Sequence, residues 1–293
     1  MKALVIGASG QVGSHLVQTL IAQNCDVRAT YHNHQIPDAA PLDITKVMET
    51  NALITSSEPD VIYLPGAFPN VDYCETHPAE TYEINVRGVK NVVDAANQTN
   101  ARLVYFSSEY IFDGISGPYT ETDIACPISE YGRQKLFAEH YISLFSKNYL
   151  IIRTTVVFGW EWQGKNFIIR LINSLKDKRS IRVPADQISS PTYVNNLAQI
   201  VVELSLSDFL QNEVINVTGP DCLSRYDLAV AAAQAFGLDA SLITPVSTAE
   251  LNQPAKRPLQ AGLKIDKLIA SSNIPPTSHH DGLLLMAKQH PIT

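Results

Sequence analysis

Tyr131 and Lys135 stand four positions apart in the stretch Ser129-Glu130-Tyr131-Gly132-Arg133-Gln134-Lys135. On a helix such positions share a face, with Cβ atoms about 6 Å apart. An ammonium beside a phenol favours the phenolate, so the pair predicts a tyrosine that yields its proton below its reference value near ~10. A serine at the end of a neighbouring strand can bond the same reacting oxygen. Arg102-Leu103-Val104-Tyr105-Phe106 runs into Ser107-Ser108, which makes Ser108 that candidate. Such a set exchanges a proton with an alcohol or carbonyl while a cofactor exchanges a hydride.

The cofactor has its own signal. The apolar run Lys2-Ala3-Leu4-Val5-Ile6 leads straight into Gly7-Ala8-Ser9-Gly10-Gln11-Val12-Gly13. Gly7 allows a tight strand-to-helix turn, Gly10 lets the backbone approach a pyrophosphate, and Gly13 lets the helix pack close to the strand. The helix that Gln11 and Val12 open offers free N–H groups and a positive dipole end to phosphate. The strand before and the helix after are the context that makes this triplet a dinucleotide site.

NAD-selective sites place a carboxylate at the end of the second strand, roughly 20 residues beyond the glycines. Here that strand reads Val27-Arg28-Ala29-Thr30-Tyr31-His32-Asn33-His34, with Asp26 at its start and no acid at its end. Tyr31 and His32 occupy the cofactor-facing end, and Arg28, His32 and His34 are candidate donors to a 2′-phosphate. NADP is favoured on this electrostatic ground, with NAD as the alternative. Asp43 and Ile44 can offer a carboxylate to an adenine amino group and an apolar side chain to its ring. Asp43 is equally a favoured N-cap for the next helix. After the strand at 60–64, Gly66, Ala67 and Phe68 let a ribose and nicotinamide pass close to the backbone. Asn85 is a weak helix former inside a helix expected over 78–96; it is placed to hydrogen-bond that loop.

These residues need elements to position them. Strands expected at 2–6, 27–30, 60–64, 102–106 and 149–153 alternate with helices at 11–23 and 78–96 and with the helix carrying Tyr131. Apolar strands alternating with helices predict an α/β fold, a doubly wound parallel sheet of the Rossmann type. Beyond Thr155 prolines multiply, with helices expected at 166–176, 195–204 and 225–236 and a strand at 214–217. Ser224-Arg225-Tyr226-Asp227 is a capping box for the last helix. The expected division is a dinucleotide-binding domain over 1–157 with 193–217 returning to it. A smaller α+β substrate-binding region over 158–192 and 218–293 completes the chain.

Composition narrows the function. Hydrophobic residues make up 45% and charged residues 17% of the 293, ordinary for a globular protein with a proper core. A net charge of −7 excludes nonspecific nucleic-acid binding, which needs a basic surface. Cys25, Cys74, Cys126 and Cys222 are scattered, so neither a metal site nor a redox pair is expected. With no apolar run near ~18 residues and no signal peptide, a cytoplasmic protein without a membrane span is expected.

Together these residues resemble the extended short-chain dehydrogenase/reductase superfamily, and within it the dTDP-4-dehydrorhamnose reductase family. That family is related to the regulatory beta subunit of methionine adenosyltransferase. The resemblance runs over nearly the whole chain. It includes Pro41-Leu42-Asp43-Ile44-Thr45, Asn70-Val71-Asp72-Tyr73-Cys74-Glu75, Ser107-Ser108-Glu109-Tyr110-Ile111-Phe112-Asp113-Gly114, Ser190-Pro191-Thr192-Tyr193 and Arg257-Pro258. It implies that Tyr131 protonates a sugar carbonyl oxygen, that Lys135 tunes Tyr131 and holds the nicotinamide ribose, and that Ser108 polarises the carbonyl. Val71, Ser107, Glu109, Tyr110, Trp160, Asn166 and Arg257 are the implied substrate-binding residues, with Trp160 against the nucleotide-sugar and Arg257 on its diphosphate. Ser108 stands where the reductases carry threonine, and Glu109 where they carry aspartate. Pro65 and Phe68 fall within what is usually a run of alanines. The implied activity is NADPH-dependent reduction of the 4-keto group of a nucleotide-activated deoxysugar, dTDP-4-dehydrorhamnose to dTDP-rhamnose, by a homodimer. A different sugar-nucleotide epimerase or dehydratase, or a non-catalytic NADP-bound regulatory subunit, are the alternatives.

Overall fold

The computed structural model describes residues 1–207 and 210–289. Its first half alternates strictly. Strand β1 (Lys2–Ile6) leads to helix α1 (Gln11–Ala22), then β2 (Asp26–Tyr31), β3 (Ala39–Pro41), α2 (Val47–Ser57) and β4 (Val61–Leu64). Helices α3 (Val71–Thr76), α4 (Pro78–Tyr82) and α5 (Val89–Thr99) follow, with a π-helical stretch, Glu83–Gly88, between the last two. Next come β5 (Arg102–Ser108), α6 (Glu130–Phe145), β6 (Tyr149–Thr154), β7 (Val157–Phe158) and α7 (Phe167–Lys176). The remainder comprises β8 (Ile181–Pro184), β9 (Ile188–Ser189), β10 (Thr192–Tyr193), α8 (Val194–Ser205), β11 (Glu213–Asn216), β12 (Leu223–Ser224), α9 (Arg225–Ala235), β13 (Ile243–Val246), α10 (Asp266–Ser271) and α11 (His279–Gln289).

Seven strands form one sheet in the order β11-β6-β5-β4-β1-β2-β3, and every neighbouring pair is parallel. Parallel strands must be covered on both faces, because their crossover helices lie there. Residues alternate accordingly. Val5, Tyr63, Val104 and Ile152 pack with Leu16, Leu20, Leu197 and Val201 on the face of α1 and α8. Leu4, Ile62, Leu103 and Ile151 pack with Ile54, Val92, Ala138 and Ile142 on the face of α2, α5 and α6. Chain order reverses between β4 and β1, and such a switch point opens a crevice beyond the strands' C-terminal ends.

The stretch from α8 to β11 brings the chain back to this sheet, with β11 on β6. A separate core gathers residues of α7, α9, α11, β8 and β13, among them Ile168, Leu171, Val183, Leu228, Phe236, Ile243 and Leu283. Ser224 caps α9 as read, but the reciprocal half of the box is absent, since Asp227 takes the Ser224 hydroxyl rather than its backbone N–H. Ser224 Oγ accepts from the Asp227 N–H at 3.0 Å and donates to Asp227 Oδ2 at 2.6 Å. The strands and helices read from periodicity lie where expected to within a residue or two, except the helix over 78–96, which is interrupted by the π stretch. Strand β3 and the two-stranded pairs β10-β7, β12-β9 and β13-β8 were not anticipated; two to four residues carry no readable period. Residues 290–293 of the expected substrate-binding region lie outside the described residues.

Candidate active site

Four strands deliver the site to one edge of the sheet: β1 ends at the glycine loop, β4 at 65–70, β5 at Ser108 and β6 at Thr154. Gly7 has φ +87°, and a Cβ built on it would lie 3.1 Å from the Gly66 Cα. The two loops thus converge across the switch point. At Gly13 a Cβ would lie 2.3 Å from the Gly7 carbonyl oxygen, so only glycine lets α1 seat this close to β1. Gly10 caps α1, whose first-turn N–H groups have no partner inside the helix.

Helix α6 presents Tyr131 and Lys135. Ser129 caps it, accepting from the Gly132 N–H at 3.3 Å. A Cβ at Gly132 would lie 2.0 Å from the Tyr110 carbonyl oxygen, so glycine here brings α6 onto the segment after β5. Tyr131 is 9% exposed, Lys135 3% and Ser108 7%, and the three converge at the end of β5. Ser108 lies beside the Tyr131 hydroxyl and favours its charged form. Ser108 Oγ also donates to Glu109 Oε2 at 2.7 Å and accepts from the Tyr110 N–H at 3.3 Å. The Tyr110 ring meets that of Tyr131 edge-on, with centroids 5.6 Å apart.

The expected lowering of the tyrosine's pKa does not occur. Burial raises Tyr131 above its ordinary value, the negative potential of Glu109 adds to this, and only the neighbouring Ser108 opposes. Lys135 does not counter the shift. Its Nζ donates to the Phe106 carbonyl at 2.8 Å and sits 5.9 Å from the Tyr131 ring centroid. Burial brings Lys135 itself down to about 8, against the pull of Glu139 one turn on. Glu139 in turn holds a buried ion pair with Arg153 at 2.8 Å. The arrangement keeps Tyr131 protonated beside a lysine that is charged at neutral pH. Burial likewise raises Glu109, which Ser108 and the nearby charge of Arg225 oppose.

Asn85 does what its place suggested. It is buried in the π stretch, accepts from the Phe68 N–H at 2.7 Å and donates to the Phe68 carbonyl at 3.3 Å. Its amide also donates to Gln134 Oε1 at 2.8 Å, which ties the loop of Gly66, Ala67 and Phe68 to α6. Gln134 stands next to the tyrosine–lysine pair and was missed, since a glutamine on a helix carries no distinguishing pattern.

Other expected residues fall differently. Arg28 donates to Ser57 Oγ at 2.9 Å on the far side of β2, away from the strand's end. It is therefore no donor to a 2′-phosphate. Tyr31 is partly buried at the end of β2, and His32 is exposed just beyond it. Asp43 does not cap α2, whose cap is Lys46. Its Oδ1 accepts from the Thr45 N–H and hydroxyl at 2.9 and 2.7 Å. Burial would raise Asp43, but the Thr45 bonds and the charges of His32 and Lys46 outweigh it and lower its pKa. Ile44 is 8% exposed and packs on Gly88. Gln11 spends its side chain on the Gly159 carbonyl at 3.2 Å, and Val12 packs against the core.

On the substrate side, Val71 opens α3 and Ser107 Oγ is buried with no partner among the described residues. A small pocket between Glu109, Tyr110, Gln187, Arg225 and Pro258 joins the end of β5 to the C-terminal region. Arg225 was missed because its helix-start position reads as a cap neighbour. Trp160 does not face this pocket. Its indole N–H donates to the Met286 carbonyl at 2.9 Å, and its ring meets Phe236 in the second core. Asn166 caps α7, accepting from the Ile169 N–H at 3.2 Å and donating to the Gly159 carbonyl at 3.0 Å. Arg257 is not free: it pairs with Asp72 at 2.8 Å, with 8% of its side chain exposed.

The crevice fits a nicotinamide dinucleotide. Two loops approach across the switch point, a helix N-terminus faces them, no carboxylate stands at the end of β2, and a buried serine hydroxyl lacks a partner. Fold and site together define an extended short-chain dehydrogenase/reductase. The family described as the RmlD substrate binding domain matches residues 1–291. The chain belongs to this family, that of the dTDP-4-dehydrorhamnose reductases. It is 32% identical to the dTDP-4-dehydrorhamnose reductase of Aggregatibacter actinomycetemcomitans, over 94% of this chain and 95% of that one. The crystal structure of the Bacillus anthracis dTDP-4-dehydrorhamnose reductase in complex with NADP superposes with a TM-score of 0.89 at 28% identity, covering 98% and 99% of the two chains. The Clostridium acetobutylicum dTDP-4-dehydrorhamnose reductase ortholog gives 0.88 at 30% identity, covering 100% of both.

Proposed function

We propose that this chain reduces the 4-keto group of dTDP-4-dehydrorhamnose to give dTDP-rhamnose, with NADPH as cofactor. The observation that carries the reading is the buried Ser108, Tyr131 and Lys135 set at the end of β5, beside the glycine loop. NADPH bound in the crevice supplies the hydride to the carbonyl carbon. Tyr131, kept protonated by burial, hands its proton to the carbonyl oxygen as charge develops there. Lys135, tethered to the Phe106 carbonyl beside Tyr131, holds the nicotinamide ribose. Ser108 orients Tyr131. Turning its own hydroxyl from Glu109 to the sugar oxygen gives up one charge-assisted bond of roughly 1.5–3 kcal/mol. Asn85 and Gln134 hold the nicotinamide-side loop in register with Tyr131.

The division of labour follows the two cores. Residues 1–157 and 193–217 bind the dinucleotide, and 158–192 with 218–293 bind the nucleotide-sugar. Arg257 and Arg225 supply positive charge around the pocket beside Tyr110, Arg257 through a guanidinium already aimed by Asp72. A cytoplasmic homodimer completes this reading. Among the described residues no helix is long and apolar enough to cross a membrane.

The test is a panel of nucleotide-activated 4-keto sugars with NADPH, followed by loss of nicotinamide absorbance. The dTDP-activated 6-deoxy sugar should be consumed with one NADPH per carbonyl reduced. Tight NADPH binding with a flat trace for every sugar would make the chain a regulatory subunit. Product without net NADPH loss would make it an epimerase or dehydratase.

A further inference from the structure

The segment 159–166 leaves the second core and crosses to the glycine loop. Trp162 Nε1 and Gln163 Nε2 both donate to the Ser9 carbonyl, at 3.1 and 2.6 Å. Gln11 Nε2 returns a bond to the Gly159 carbonyl at 3.2 Å. The Trp162 indole meets the His34 imidazole edge-on, with centroids 5.5 Å apart and planes at 86°. Lys165 Nζ lies 3.4 Å from His34 Nε2. The segment therefore carries an exposed lysine out of the substrate-binding half and sets it beside the residues just past the end of β2.

That location is where a dinucleotide's adenosine ribose is read in this fold class. The charge there is unusual for a chain of net −7. Among the described residues no carboxylate lies within ion-pair distance of Lys165, His32 or His34. Glu161, the acid nearest Lys165 in sequence, is engaged by the Asn166 backbone N–H and side-chain amide. Asp43, which interacts with His32, is held by Thr45. Arg28, the other cation read from β2, is turned away toward Ser57. A cation without an acid, carried on a segment that an aromatic contact and two bonds hold against the glycine loop, is placed to meet an anion.

We infer that Lys165 is the specificity-determining contact for the 2′-phosphate of NADPH, positioned by His34 and by the Trp162–Ser9 latch. The inference rests on the reductase reading above and adds the source of its cofactor preference. The 2′-phosphate is gripped from the substrate-binding half rather than from the strand end alone. Phosphate bound there bridges the two halves of the molecule.

Isothermal titration of NADPH and NADH into wild type, Lys165→Ala, Lys165→Glu and Lys165→Arg tests this directly. A charge-assisted bond to phosphate is expected to be lost in Lys165→Ala, which weakens NADPH by about 10–100-fold. NADH affinity should stay within about twofold, the spread expected of a surface change away from its contacts. Lys165→Glu should reverse the preference, and Lys165→Arg should keep it. Melting without dinucleotide should not change, because the side chain is exposed. Equal losses for both dinucleotides would make the segment a strap with no phosphate recognition and overturn the inference. So would unchanged affinities, or a wild type that prefers NADH. If Lys165→Ala behaves as wild type while the wild type reduces the sugar with NADPH, this inference falls and the reductase reading stands. A wild type that binds neither dinucleotide sinks both.

Discussion

Replacing Asn85 with alanine tests how the cofactor loop is held against the catalytic helix. Asn85 is 1% exposed and bonds the Phe68 N–H at 2.7 Å and Gln134 Oε1 at 2.8 Å, with a weaker bond to the Phe68 carbonyl at 3.3 Å. Alanine leaves the Phe68 N–H without that acceptor and takes one donor from Gln134. Each lost buried partner costs about 1–3 kcal/mol, and Gln134 keeps its bonds to Pro78 and Thr81, so the total should fall near 2–4 kcal/mol. In a chain of this size that lowers Tm by roughly 3–7 °C. The larger consequence is positional. Misplacing reacting groups by about 1 Å can cost 10²-fold, so kcat should fall by at least ~10-fold. Sugar KM should move little, because no sugar contact is removed. Differential scanning calorimetry beside steady-state NADPH oxidation measures both. A variant that melts with the wild type and keeps its kcat would refute the argument that this amide registers the loop on α6.

Two further perturbations follow from the electrostatics. Lys135, held at about 8 by burial, should lose its charge as pH rises through that value, and kcat should fall there; a flat profile from pH 7 to 9.5 would contradict this. The same shift has a stability sign. The folded value lies below the ordinary 10.5, so the unfolded chain binds the proton more tightly between about 8 and 10.5. Wild type should therefore gain stability relative to Lys135→Met as pH rises across that window and lose it as pH falls through about 8. Urea unfolding of both proteins at pH 7 and pH 10 reads this difference. Arg257→Ala breaks a pair whose guanidinium is 8% exposed and whose carboxylate is 34% exposed. That lies between buried and surface pairs and should cost about 1–3 kcal/mol, with sugar KM raised by about 10-fold. Asp72→Asn should share the loss of stability; an unchanged KM in Arg257→Ala would leave Arg257 a structural residue.

Much of the fold was legible because long apolar runs and glycines carry strong local signals. The sheet strands could be read from Leu4-Val5-Ile6, Val61-Ile62-Tyr63-Leu64 and Leu150-Ile151-Ile152, since parallel strands buried on both faces need such runs. Short strands such as Thr192–Tyr193 could not, because pairing partners distant in sequence define them. The same limit applied at the site. Tyr131 and Lys135 share a helix face as their spacing implied, Ser108 lies beside them, and Asn85 reaches the Phe68 loop. What spacing could not convey was direction. Lys135 turns to a backbone carbonyl, Trp160 turns into the second core, Arg28 turns to Ser57, and Asp43 turns to Thr45. Sequence proximity of a cation to a phenol also says nothing of burial, and burial is what raises Tyr131. Lys165 lies more than a hundred residues from His34, so its place beside the end of β2 appears only in three dimensions.

The most direct test of the account is Tyr131→Phe, which removes one hydroxyl and leaves the ring that packs beside Tyr110. NADPH affinity is measured by calorimetry, and turnover of dTDP-4-dehydrorhamnose by nicotinamide absorbance under single-turnover conditions. The account predicts unchanged NADPH affinity and a rate of reduction lowered by about 10²–10⁴-fold, the usual contribution of a positioned acid. Reduction at close to the wild-type rate would contradict it, and would move the proton donor away from Tyr131.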